Sequence, residues 1–159
     1  MSRALIRIVV AAAALAIAAL PGCKADVVTI EPRARLRLVR AADGAIEVEL
    51  AGAADTPRAI QLELGVESDA GFLVEDAAPP IGLAVDTVRV RMHGTNRAIL
   101  FAGDKRGAHL GRNGVVARFR VRATGGADAR GRIRITSALV AATDGLAIPV
   151  DLGGALTVP

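Results

Sequence analysis

From residue 27 onward, apolar and polar residues alternate with a period of two in one run after another. Leu36 and Leu38 interleave with Arg35 and Arg37; Ile46, Val48 and Leu50 with Glu47 and Glu49; Ile60, Leu62 and Leu64 with Gln61 and Glu63. Farther along, Val88, Val90 and Met92 alternate with Arg89 and Arg91. Val115, Ala117, Phe119 and Val121 alternate with Arg118, Arg120 and Arg122, and Ile133 and Ile135 with Arg132 and Arg134. This period predicts antiparallel strands with one face on a core and the other in water, since a helix would repeat every three to four positions. Turn-forming stretches separate the runs, among them Ala42-Asp43-Gly44, Asp55-Thr56-Pro57, Pro79-Pro80, His93-Gly94-Thr95-Asn96, Arg112-Asn113-Gly114 and Thr143-Asp144-Gly145. With shorter strands over 27–30, 99–101, 147–150 and 155–158, the count reaches nine or ten. The fold class predicted is all-β: an antiparallel two-sheet sandwich of about nine strands.

The first 23 residues break the pattern. Arg3 and Arg7 precede an uncharged apolar run over 8–20, 13 residues long. That is the layout of an export signal with a short helix, and a membrane span needs roughly 20 apolar residues. The run ends in Leu20-Pro21-Gly22-Cys23. These four residues resemble the lipobox of bacterial lipoproteins: an aliphatic residue, a variable position, a small residue, and the cysteine whose thiol takes a diacylglyceryl group. Pro21 stands where Ala, Ser or Thr is commoner. An ordinary secretory signal with an incidental cysteine is the competing reading, but Cys23 is the chain's one cysteine and stands where acylation requires it.

The expected organisation is therefore a lipoprotein signal over 1–22, the lipidated Cys23 with a short tether over 23–26, and a single domain over 27–159. The chain would be exported and lipid-anchored to the bacterial cell envelope, close to the membrane surface. Lys24 follows the cysteine, where an Asp retains enteric lipoproteins in the inner membrane, so the resemblance leans toward the outer membrane. One cysteine excludes an internal disulfide, leaving packing to hold the domain.

Composition changes this picture in two respects. The chain has no Trp or Tyr and three Phe, so its core is aliphatic, and apolar area rather than aromaticity sets the stabilisation. Phe119 shares a strand face with Val115 and Val121, and Phe101 with Ile99. Both are expected in the core, which leaves Phe72 as the candidate exposed aromatic. The net charge of +4 includes Arg3 and Arg7 of the signal; the remainder carries 18 basic against 16 acidic residues. No nucleic-acid partner is inferred from that balance. The strand arginines form either a basic face for phosphate, lipid headgroups or acidic polysaccharide, or a solvated surface paired with Glu47, Glu49 and Glu63. The second reading is preferred, since arginine stems also cover apolar neighbours.

No catalytic or metal-binding constellation emerges. His93 and His109 lie in separate glycine-containing loops without the spacing of a zinc site. Ser68 and Ser137 lack a nucleophile-elbow context. Glu67, Asp69, Glu75 and Asp76 lack the regular ligand spacing of an EF-hand loop. The chain is expected not to be an enzyme and to need no cofactor beyond the lipid on Cys23.

The order of the segments resembles the cohesin domain, of the cohesin-like and carbohydrate-binding jelly-roll group. Ile60-Gln61-Leu62-Glu63-Leu64-Gly65-Val66-Glu67 is similar to the cohesin strand that leads into a conserved tyrosine-containing turn, here without the tyrosine. Ile99-Leu100-Phe101-Ala102, Gly114-Val115-Val116-Ala117-Arg118-Phe119-Arg120-Val121 and the closing pair Asp144-Gly145-Leu146-Ala147-Ile148-Pro149-Val150 and Gly154-Ala155-Leu156-Thr157-Val158 match further cohesin strands in order. The resemblance implies jelly-roll topology and a non-catalytic module that binds a protein through one sheet face, as cellulosomal cohesins grip calcium-loaded dockerins. Calcium would then enter only through the partner. On this chain it implicates Gln61 and Glu63, with Asn96 and Asp104 in neighbouring loops, as partner-binding residues. The family usually places Asn and Asp on that face, where Ala59 and Gln61 stand here, which weighs against cellulosomal dockerins. An accessory spacer in an envelope or secretion assembly is the alternative. A carbohydrate-binding module is less favoured, because no Trp or Tyr offers a stacking platform.

Overall fold

The computed structural model describes residues 34–53, 55–68, 70–80, 85–104, 110–125 and 129–158. The expected signal helix over 1–22, Cys23, the tether over 23–26, the strand over 27–30, and also Asp69 and His109, lie outside the described residues.

Eleven strands form among the described residues: β1 (Ala34–Arg40), β2 (Ile46–Ala51), β3 (Pro57–Glu67), β4 (Phe72–Ala78), β5 (Thr87–Met92), β6 (Arg97–Gly103), β7 (Gly114–Ala123), β8 (Gly131–Ala142), β9 (Ala147–Ile148), β10 (Val150–Leu152) and β11 (Leu156–Val158). They build two facing sheets. The first has the order β10-β1-β2-β7-β4; the second has the order β11-β8-β3-β6-β5, with β9 also on β8. Pairing is antiparallel except for β10 on β1, where Ala34, Leu36 and their neighbour run parallel to Val150–Leu152.

The alternation read from the sequence is the packing pattern except at the start of β7, where the ladder with β2 shifts between Val48 and Glu49 and Val116, not Val115, is buried. Leu36, Ile46, Val48 and Leu50 of the first sheet face Ile60, Leu62, Leu64, Leu100 and Ile133 of the second, all essentially without solvent contact. Each such side chain contributes about 1.5–3 kcal/mol on burial. No polar or charged side chain is buried among the described residues. β3 is the centre of its sheet, paired along its length with β6 on one side and β8 on the other.

Two expectations need correction. Residues 72–78, for which the sequence predicts no strand and an exposed Phe72, form β4: Phe72 and Val74 enter the core, while Leu73 and Glu75 point outward. The strand is hard to see because its pairing with β7 shifts after Glu75 and Asp76 takes a φ of 51°, so the alternation stops after four residues. The stretch 147–150 is also two strands rather than one. Pro149 has no N–H to donate to a ladder, and at that point the chain leaves β8 and crosses to β1. The crossing ends where the Gly153 N–H donates to Leu36 O at 2.7 Å. A Cβ on Gly153 would lie 2.8 Å from the Arg37 Cβ, so only glycine permits this approach. β11 then returns to β8, completing the jelly-roll-like switching between sheets.

Candidate binding face

The pairing register of the second sheet decides which side chains share its outer surface. Gln61 on β3 stands opposite Phe101 on β6 and Leu139 on β8, and Phe101 stands opposite Arg89 on β5. One row across the sheet therefore reads Arg89, Phe101, Gln61, Leu139. The next row reads Arg91, Ile99, Glu63, Ser137. Neighbouring strands are about 4.8 Å apart, so Phe101 and Leu139 flank Gln61 as two apolar walls about 10 Å apart.

Ile99, Phe101 and Leu139 are 37%, 39% and 53% exposed, and with Leu146 of the β8–β9 turn they are the large apolar side chains most open to solvent among the described residues. Three of these four lie on this one face. Expecting Phe101 in the core and Phe72 in solvent was therefore the wrong way round: Phe72 is 1% exposed, while Phe119 is fully buried as expected. The Phe101 ring leans along β6 over Gly103, where a Cβ would come within 3.0 Å of its Cζ. It borders a shallow depression with Thr87, Arg89 and Asp104.

The residues picked out from the sequence separate into two groups. Gln61 and Glu63 lie side by side on the face, the first exposed and the second half-buried. Asp104 follows the end of β6 at the rim of the depression. Asn96 sits at the opposite end of β6, away from both rows. It is half-buried, its Nδ2 donates to Ser68 O at 3.3 Å, and its own carbonyl accepts the Val66 N–H at 2.8 Å, so it ties the β5–β6 turn to the end of β3. Its geometry is that of a turn anchor.

Glu63 is bound by the Arg97 guanidinium, whose Nε donates to Oε1 at 2.6 Å. That hydrogen bond holds the carboxyl below the usual glutamate range against the opposing effect of partial desolvation. The Arg97 charge, the Ser137 hydroxyl and His93 act in the same direction as the hydrogen bond. Arg134 pairs with Glu67 at 3.0 Å. Arg89, Arg91 and Arg132 have no carboxylate partner among the described residues.

The candidates for chemistry do not converge. Glu67 and Glu75 belong to different sheets and each binds an arginine, Arg134 and Arg122. Ser68 Oγ donates to Arg130 O at 2.8 Å, and Ser137 to Glu63. No group of three His, Cys, Asp or Glu side chains among the described residues could hold a metal.

Against solved structures, the two-sheet arrangement has clear counterparts. The sixth cohesin of the Acetivibrio cellulolyticus scaffoldin B, solved with a Cel5 dockerin, aligns with a TM-score of 0.55 over 77% of this chain and 96% of its own, at 10% identity. CaCohA2 from Clostridium acetobutylicum, known in solution, aligns with a TM-score of 0.55 over 80% of this chain and 91% of its own, at 16% identity. The chain has the cohesin fold. A cohesin module from a Clostridium perfringens family 33 glycoside hydrolase also aligns, at 18% identity and a TM-score of 0.50 over 82% of this chain and 92% of its own. No protein-family model matches the sequence, and no curated protein matches it. On this cohesin fold, the apolar residues of the second sheet were missed in the sequence because 98–102 is apolar at every position. Period-two reasoning cannot then say which phase faces in. The polar partners Gln61 and Glu63 opposite Phe101 and Ile99 were the available signal, and reading it requires the register.

Proposed function

We propose that this chain is a non-catalytic protein-binding module, held at the bacterial cell envelope through a lipid on Cys23, that engages its partner with the β8-β3-β6-β5 face. The observation that carries this reading is the concentration of Ile99, Phe101 and Leu139 on one outer sheet surface of a cohesin fold. Exposed apolar side chains gathered in one patch mark contact surfaces, whereas scattered ones carry no such meaning. Ser68 and Ser137, spent on local hydrogen bonds, also favour binding over catalysis. Cohesins of Acetivibrio cellulolyticus and Clostridium thermocellum are solved in complexes with dockerins, which supports a protein partner here. The anchor rests on the lipobox-like Leu20-Pro21-Gly22-Cys23.

Placing a photo-cross-linking side chain at Gln61 of the full chain in its native membrane should yield a discrete protein adduct. The same side chain at Arg37, on the opposite sheet, should not. Equal adducts from both positions, or none from Gln61, would remove the face from consideration. For the anchor, Cys23→Ala should abolish incorporation of labelled palmitate and release the protein from membranes; a variant that still carries label refutes lipidation.

A further inference from the structure

The charge on this face is lopsided in a way that its apolar patch alone would not require. Of its carboxylates, Glu63 and Glu67 are already neutralised by Arg97 and Arg134, and Asp104, at the rim of the depression, has interactions of its own. Arg89 and Arg91 stand next to Phe101 and Ile99 in the pairing register and have no carboxylate of their own among the described residues. Arg89 also borders the depression beside Phe101. Each uncompensated guanidinium thus sits at the edge of the apolar patch, where an approaching partner would desolvate it only if it brought an anion.

We propose that the partner's contact surface is acidic, with an apolar ridge that fits over Ile99, Phe101 and Leu139 while carboxylates flanking that ridge pair with Arg89 and Arg91. This rests on the binding-module reading above and specifies the partner's chemistry. A second copy of this chain does not meet the requirement. Its own β8-β3-β6-β5 face would set arginine against arginine; on its opposite sheet Glu49, Glu75 and Asp151 are already bound by Arg37, Arg122 and Arg35, and Glu47 and Asp76, which stand outside these pairs, have no exposed large apolar side chain beside them to form the ridge. Arg89 and Arg91 do lie on an edge strand, and edge charges commonly block strand addition. The experiment must separate that role from recognition.

The full chain, reconstituted in phosphatidylcholine nanodiscs with labelled Ile and Leu methyl groups, provides the readout. The probes are a helical peptide with a leucine stripe flanked by glutamates, and the same peptide with lysines in their place. The glutamate peptide should shift the Ile99 and Leu139 methyl signals saturably, and the lysine peptide should not. Raising the salt from low to half-molar should weaken the response about ten-fold. The pair Arg89→Gln and Arg91→Gln should weaken it about five-fold or more, and Arg37→Gln on the other sheet should leave it unchanged.

If both peptides shift these methyls equally, the contact face stands and the acidic partner falls. If the glutamate peptide shifts other residues or none at millimolar concentration, both fall. Self-association of the double variant with undiminished peptide binding would reduce Arg89 and Arg91 to edge guards and overturn the proposal. So would equal shifts produced by phosphatidylglycerol in the nanodisc without any peptide, which would make the surface one for lipid headgroups.

Discussion

The outward faces of the two sheets follow the same alternation, and their chemistry differs. On the first sheet, arginines and carboxylates from neighbouring strands satisfy one another: Arg37 with Glu49, Arg122 with Glu75, Arg35 with Asp151, and both Arg118 and Arg120 with Asp43 at the β1–β2 turn. None of the four most exposed large apolar side chains lies there. On the second sheet, Ile99, Phe101 and Leu139 are open to water, and Arg89 and Arg91 beside them have no carboxylate partner among the described residues. Exposed ion pairs each contribute little to stability. On the first sheet they occupy most of the charge, and Glu47 and Asp76, which stand outside these pairs, have no exposed large apolar side chain beside them. The second sheet offers apolar area to remove from water and charge to match, the two ingredients of a contact surface.

The largest effect that would sharpen this contrast comes from its two outlying phenylalanines. Phe72→Ala should cost about 3–5 kcal/mol, because the ring is buried in the core beside Gly131 and would leave a cavity. Phe101→Ala should cost under about 1 kcal/mol while eliminating the Gln61 cross-link. Chemical denaturation of the full chain in detergent measures both, and comparable losses would mean that Phe101 is a core residue after all. A subtler break is Gly103→Ala, whose methyl would meet the Phe101 ring. Stability should change by about 1 kcal/mol or less, and the adduct from Gln61 should decline as the ring is displaced.

Acidification tests the charge side of the comparison. Glu63 on the second sheet, and Glu75 and Asp43 on the first, all titrate below their ordinary values. Hydrogen bonds from Arg97, Arg122 and the Ala45 backbone N–H, respectively, are the leading causes. A depressed carboxylate pKa adds stability that is fully present above the unfolded-state value, and this stability is lost as the pH falls through the lower folded-state value. Thermal stability should therefore decline below the ordinary carboxylate range. Arg97→Gln should move Glu63, followed by carboxyl carbon NMR, back up toward the usual glutamate value; Arg122→Gln should do the same for Glu75. An unshifted Glu63 in the unmodified chain would mean that Arg97 is free and adds to the unmatched positive charge of the second face. The smallest effect is expected of Arg37→Gln: under about 1 kcal/mol, diminished further in molar salt, with no consequence for cross-linking from Gln61.

Strands with a polar phase were legible from the chain alone. β1, β2, β3, β5 and β7 each carry charged or amide residues on alternate positions, and water accepts only one of the two possible orientations. The same logic placed Gln61 and Glu63 outside and Phe119 inside. It failed at β4, where an outward Leu73 and the turn at Asp76 leave too short an alternation, and at β6, where both phases of 98–102 are apolar. Asn96 shows a different limit. A polar loop residue reads as a candidate contact, and only its bonds to Ser68 and Val66 identify it as a turn anchor.

By itself the sequence determined an all-β chain with an aliphatic core and, through Leu20-Pro21-Gly22-Cys23, an expectation of a lipid anchor. Both are local: alternation is a property of consecutive residues, and acylation needs a short motif. Which surface faces a partner was decided only by the tertiary structure. Phe101, Gln61 and Leu139 lie up to 78 positions apart in the chain and become neighbours through the β6-β3-β8 register. An apolar side chain stays in water there because the inner side of the same strand is already filled by Ala98, Leu100 and Ala102.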